Sequence, residues 1–413
     1  MFMHSPYLRV YQLWANNPQA MSLTISDFRR ILVYPMNLLA HYLRCIELCH
    51  RIKEANIIFA DSSLYHNTVI AAGYNVFKVE NFDPVEVNRG AKEFNFNWMN
   101  QPILEKVLDS QVETINEYKP DLILGDTAFT LKMAAEATKT RYASLLNGYM
   151  TKYYMYNRGV SRNHPGYKYS KMMPSTVFEI ISREIEYLSL IKIHEPYRNI
   201  REQRGQSHTR YLLDELEGDL NLVCDLPNLY PLKDPPPKYH NIGPLYYSKS
   251  DDEEDARKFL GDEGPRILVT TGSTGSSEYF EALGGPIFND YKIIATGDLA
   301  KHLKGPNIFA KPFLQHCAVL PQIDLVICHG GNGTIYQSLA YGVPVLCHPA
   351  NFEQEWNSSR VEQLGYGAIA NNHTAPLEMK ILIDTWLSKK NNELFTEAKE
   401  KIQFYAKQPI EIS

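Results

Sequence analysis

The sequence predicts an α/β protein made of two β/α/β domains with parallel sheets. Three observations carry that reading. The chain has 413 residues, enough for two domains that each bury a core. Towards its end the apolar run Leu325, Val326, Ile327 stops at His329, a glycine-rich turn follows, and helical apolar spacing begins at Thr334 before a second buried strand, Pro344 to Cys347. These pieces close a right-handed β-α-β unit, whose ligands sit at the carboxyl ends of the strands. Near the start, the buried strand Arg30 to Pro35 leads into a helix over His41 to Ile52, with Leu43, Ile46, Leu48 and Ile52 on its apolar face.

In chain order, residues 1–28 show neither alternation nor helical spacing and, with Arg9 and several polar residues, lack the apolar core of a signal peptide; they read as an extension, or the natural start is Met21. Asn56 to Ala60 and Asp121 to Gly125 are further apolar strands, the second ending at Asp126, which has a plain alternative role as the N-cap of a helix through Met133 to Ala137. Segments 82–98 and 149–169 are crowded with aromatics, among them Phe94, Phe96, Trp98, Tyr153, Tyr154 and Tyr156; they read as an acceptor pocket or as core packing. Arg158, Arg162, Lys168 and Lys171 suit a solvated loop, and also contact with an anionic acceptor or a membrane surface. From Pro227 the chain turns proline-rich, which marks a linker over 227–250 between a first domain at 29–226 and a second at 251–413. The acids of 251–255 read as the charged first turn of a surface helix, and no metal is assigned. The strand Arg266 to Thr271 and the loop Gly272, Ser273, Thr274 open the second domain, the strand Tyr291 to Thr296 follows, and a helical tail runs from Leu377 to Ala406.

The turn at 329–334 carries chemistry. Gly330, Gly331 and Gly333 let backbone approach a ligand closely, and the helix beyond offers free amides and the positive end of its dipole to an anion, most simply a phosphate. His329 adds a donor that can carry positive charge, and the Thr334 hydroxyl adds another. Taken alone, the motif also fits a turn with a structural histidine.

The order of the residues from Asp324 to Gly367 is more specific: His-Gly-Gly-x-Gly-Thr, a polar residue three places on, Gly-Val-Pro-Val, then Glu353, Gln354 and Asn357. This run resembles the donor-binding signature of the GT-B glycosyltransferases that use nucleotide-activated sugars, and within them the UDP-glycosyltransferases and their relatives acting on macrolides. The resemblance implies two facing Rossmann-like domains. It implies that His329 and Thr334, with Asn332 in the same turn, hold the diphosphate. By the same resemblance Gln337 faces the ribose, Glu353 and Gln354 bind sugar hydroxyls, the loop of Gly272, Ser273 and Thr274 touches phosphate, and Phe313 and Leu314 face the donor base. It further implies that His41, in the place of the family's catalytic histidine, is the base that takes the acceptor proton, and that Asp126 orients it. A free imidazole titrates near neutrality, as that role requires. Gln337 stands where the family has a glutamate, Glu353 where it has an aspartate, and Ala40 precedes the histidine in place of glycine.

The implied reaction is inverting, metal-independent transfer of a sugar from a nucleoside-diphosphate donor, UDP-sugar first, to a hydroxyl of a small or lipid-like acceptor, with no cofactor. The same architecture also serves sugar-nucleotide epimerases, and a non-catalytic nucleotide-sugar binder is a third possibility. The net charge, 42 minus 47 or −5, speaks against a nucleic-acid partner. No apolar run reaches the length of a membrane span, so any membrane contact is peripheral. Six scattered cysteines without metal-site spacing fit a reduced cytoplasm.

Overall fold

The computed structural model describes residues 28–162, 164–250, 252–272, 280–370, 374–408 and 410; most of the expected extension lies outside them. The first sheet has seven parallel strands: β1 (Arg30–Pro35), β2 (Asn56–Ala60), β3 (Asn75–Phe77), β4 (Leu122–Asp126), β5 (Arg141–Leu146), β6 (Leu220–Val223) and β7 (Tyr239–Asn241), in the order β3-β2-β1-β4-β5-β6-β7. The second has six: β8 (Arg266–Thr270), β9 (Lys292–Thr296), β10 (Ile308–Ala310), β11 (Leu325–Cys328), β12 (Val345–Cys347) and β13 (Gly367–Ile369), in the order β10-β9-β8-β11-β12-β13. Helices cover both faces, as parallel sheets require.

The strands form where apolar residues run without alternation, because both faces are buried. In β1, Ile31 and Val33 enter one apolar cluster and Leu32 and Tyr34 the other, the period of two expected of a pleated strand. All four residues of β11 are buried, among the core of the second domain. The helices that matter for the site are α1 (Leu39–His50), α2 (Pro84–Glu93), α3 (Leu131–Thr138), α4 (Ser175–Ile193), α5 (Asn332–Ala340), α6 (Phe352–Gln363) and α7 (Glu393–Lys407). Thr130, not Asp126, is the N-cap residue of α3, so Asp126 has no capping role there.

Strand order reverses direction in each sheet at one place, between β1 and β4 and between β8 and β11. Crevices at such reversals are where open α/β sheets bind ligands. Pro35 is in register with Asp126, and Thr270 with Cys328, so the loops to His41 and Asp126 leave one sheet edge together, as do Gly272 and His329 at the other.

The proline-rich stretch expected to be pure linker instead contributes β7 to the first sheet, because Tyr239 to Asn241 pair with Asn221 to Val223. At the end of α7 the chain returns to the first domain: Arg51 donates to the carbonyl of Tyr405 at 3.2 Å and Ile410 joins the cluster of Ile31 and Val33. Among the described residues no helix is long and apolar enough to cross a membrane, and no three His, Cys, Asp or Glu side chains are grouped to hold a metal ion.

Candidate active site

Asp126 ends β4 with no exposed surface, and His41 sits in the first turn of α1 opposite it, Nδ1 3.1 Å from Oδ1 of Asp126. The Arg44 guanidinium touches both. Three residues on from His41 it lies on the same helix face, grips both Asp126 oxygens through Nε and Nη2, and brings Nη2 to 3.1 Å from His41 Nδ1. Burial alone would raise the Asp126 carboxyl; Arg44 and His41 outweigh it and hold it well below the usual carboxylate range. A carboxylate fixed in this way favours the tautomer with the proton on Nδ1 of His41, which leaves the Nε2 lone pair free to accept one. Arg44 was not singled out in the sequence, although its spacing from His41 was the signal.

Arg44 Nη1 also donates to Asn147 Oδ1 at 2.6 Å, in the turn after β5. Asn147 is therefore a second member of this half-site that no motif marks.

In the second domain His329 follows β11 and its ring is wedged between two glycines: a Cβ on either Gly272, at φ +56°, or Gly331 would overlap the imidazole. Gly330, at φ +84°, lies against Ser358 and the carbonyl of Gln354 on α6. Only Gly333 faces open space, so the expectation that all three glycines of the turn open it to a ligand is corrected: two of them let the turn close around His329 and α6. Without a bound anion, His329 is neutral. Burial, reinforced by nearby His316, lowers it to about 4, and its Nδ1 has no hydrogen-bond partner among the described residues. It stands as a neutral, buried imidazole at the N-terminus of α5. That helix begins at Asn332, two residues earlier than expected, and its first amides have no carbonyl of their own helix to bond. Thr334 is half-buried in this first turn. Ser273 and Thr274 lie outside the described residues.

The remaining donor-side residues divide. Phe313 is 62% exposed and open to stack, whereas Leu314 is buried in the second-domain core, where packing takes it away from any base. Gln337 is committed: its oxygen lies 3.2 Å from His316 Nδ1 and its amide donates to the Tyr247 carbonyl at 2.8 Å. Asn332 turns inward, accepting from Tyr230 at 3.3 Å and donating to Asp225 at 3.4 Å. Gln354 is buried, and its oxygen accepts from the Ala350 amide at 2.8 Å. Glu353 accepts from the Tyr149 hydroxyl of the first domain at 2.6 Å, a bond across the cleft.

The aromatics also meet at this boundary. Phe94 and Phe96, beyond α2, stand edge-on or tilted to Phe352 at 5.7 and 5.9 Å, one residue from Glu353. Trp98 packs between Phe82 and Phe129. Tyr153, Tyr154 and Tyr156 line a separate recess of about 420 Å³ with Arg158 and Arg183. Arg158 is not free for a membrane surface: it pairs with Glu186 and donates to the carbonyls of Tyr149 and Thr151.

Residues 266–411 match the glycosyltransferase family 28 C-terminal domain. Over 275 residues the chain is 25% identical to a PGL/p-HBAD biosynthesis glycosyltransferase of Mycobacterium tuberculosis, a match covering 65% of this chain and 63% of that one. The chain thus spans a little under two thirds of the length of that curated relative. Among solved structures, the calicheamicin glycosyltransferase CalG4 superposes with a TM-score of 0.67 at 17% identity, over 92% of this chain and 94% of its own. The spinosyn rhamnosyltransferase SpnG complexed with thymidine diphosphate gives 0.63 at 16%, over 91% and 98%. At these identities the likeness speaks for the fold, the two-domain GT-B arrangement.

Proposed function

We propose, from a C-terminal region that matches the glycosyltransferase family 28 domain and a whole chain with the GT-B fold, that the protein transfers a sugar from a nucleoside diphosphate to an acceptor hydroxyl. The acceptor lies on the first domain. His41 Nε2 takes its proton, the oxygen attacks the anomeric carbon from the face opposite the diphosphate, and configuration inverts. Asp126 orients the imidazole, and Arg44 holds the Asp126 carboxylate in place. The leaving diphosphate gathers charge at the free amides of α5, with the Thr334 hydroxyl and a hydrogen bond from His329. Glu353 and the open face of Phe313 are the residues left to meet sugar and base.

The observation that carries this reading is the 3.1 Å contact of His41 with a fully buried Asp126 at the strand reversal of the first sheet, matched by the His329 turn at the reversal of the second. UDP and thymidine diphosphate are the first nucleotides to try, the second because SpnG was solved with it. Phe94, Phe96 and Phe352 favour an apolar, lipid-like acceptor over a small polar one. The six cysteines, all buried thiols, support a reducing cytoplasm.

The test is His41→Ala. Sugar transfer should fall by about 100-fold or more, while UDP or thymidine diphosphate still raises the melting temperature. Transfer that survives the change removes the base assignment. Turnover of sugar nucleotide with no acceptor present would point to an epimerase.

A further inference from the structure

A line of polar side chains joins the two half-sites. It starts at His41, passes through Asp126 and Arg44 to Asn147, and continues as Asn147 Nδ2 donates to Asp225 Oδ1 at 3.0 Å. Asp225, two residues after β6, also accepts from the Gly148 amide at 2.6 Å, and then from α5 in the other domain: the Tyr336 hydroxyl at 2.7 Å and Asn332 Nδ2 at 3.4 Å. Asn147 is 3% exposed, Asp225 0% and Tyr336 1%, so solvent does not interrupt the line between these three. Asn332 is the first residue of the helix whose amides face the candidate diphosphate site, and Tyr336 is one turn further on.

We propose that Asn147 and Asp225 are positioning residues that couple the donor-site helix to the catalytic histidine, so that the placement of α5 fixes the Arg44 guanidinium and through it His41. The inference rests on the reading of His41 as the base and of residues 329–334 as the diphosphate site. Neither residue needs to touch substrate. Asn147 is suited to the link because one carboxamide accepts from a cation on one side and donates to an anion on the other. Asp225 gathers donors from both domains on one carboxylate, and charge-assisted bonds of that kind are the strong ones.

Two measurements test it. The first needs no ligand: a double-mutant cycle on thermal or urea unfolding with Asn147→Leu, Tyr336→Phe and both. Members of one network give a double variant less destabilised than the sum of the singles; additive losses overturn the link. The second follows amide exchange with saturating UDP or thymidine diphosphate. In the natural chain protection should appear at 329–340 and also at 39–44; in Asn147→Leu the first persists and the second is lost. Protection at 39–44 that is absent in the natural chain, or unchanged in the variant, overturns the proposal. If neither nucleotide protects 329–340, the donor reading fails, and the unfolding cycle still decides the link. With sugar transfer in hand, Asn147→Leu should lower kcat by about tenfold with the donor KM nearly unchanged and a displaced acid limb of the pH profile, where loosened packing alone would leave that limb in place.

Discussion

Asp225 and His329 carry opposite electrostatic burdens, and each makes a pH prediction. Burial raises the Asp225 carboxyl to about 6, against the pull of Tyr336, Gly148 and Asn147. A carboxyl raised on folding lends stability that is full below its unfolded value and is lost as pH climbs through about 6. A shift of this size corresponds to about 3 kcal/mol at most. The groups that face it, Arg44, Cys224, Tyr149, Tyr230 and Tyr336, all titrate well above that range. Asp225→Asn should therefore gain on the natural chain as pH rises from about 5 to 8, read by urea unfolding across that range; a constant difference would contradict it. His329 runs the other way. A histidine lowered to about 4 contributes stability that is present at neutral pH and lost as pH falls towards that value. An anion bound beside it raises its proton affinity, so UDP or thymidine diphosphate should bind with proton uptake and more tightly as pH drops from about 8 to 5.5. Calorimetry in two buffers of different ionisation enthalpy measures the uptake, and His329→Gln should abolish it.

At the level of strands, turns and helices, the parallel strands were legible because runs buried on both faces carry no polar alternation, and β1, β4, β8 and β11 fall within a residue or so of where the sequence puts them. His41 and Asp126 were readable through the family resemblance, which implies a histidine and an aspartate after these two strands, and the register of Pro35 with Asp126 brings their loops to one edge. What stayed hidden was partnership. Arg44 has the spacing to reach His41, yet a charged residue on a helix is usually solvated, and only the depth of Asp126 shows that this one is not. The glycine turn misled in a different way, since sequence cannot tell a glycine that admits a ligand from one that admits a neighbouring side chain. Structure separates them, and so would substitution. Gly331→Ala must displace the His329 ring and should cost about 1–3 kcal/mol, with weaker nucleotide binding. Gly333→Ala meets nothing within 4 Å inside a helix and should be neutral or slightly stabilising. Chemical denaturation of both variants checks the contrast, and equal losses would refute it.

Across the whole molecule, the two domains are tied by more than the cleft. Tyr149 bonds Glu353, Tyr230 bonds Asn357 at 2.6 Å, the Leu229 carbonyl accepts from Arg360 at 2.8 Å, and the Trp356 indole donates to the Gly159 carbonyl at 3.2 Å. Tyr149, Leu226, Leu229 and Tyr230 belong to the same apolar cluster as the second-domain core. Unfolding one domain would expose the other's buried polar groups, so calorimetry should show a single cooperative transition. Two separated heat peaks would mean that the shared cluster contributes little.

The return of the chain at the end of α7 sets a limit on how this cleft can open. The backbone passes from the first domain to the second after β7 and comes back at Tyr405 and Ile410, where Gly243 lies so close under Tyr405 that any larger side chain would collide with it. A body joined to its neighbour by one cord can swivel freely; one joined by two side by side can only swing, as a door on a pair of pins. Any opening of the cleft is thereby confined to one arc of travel, which brings the same two faces back to each other.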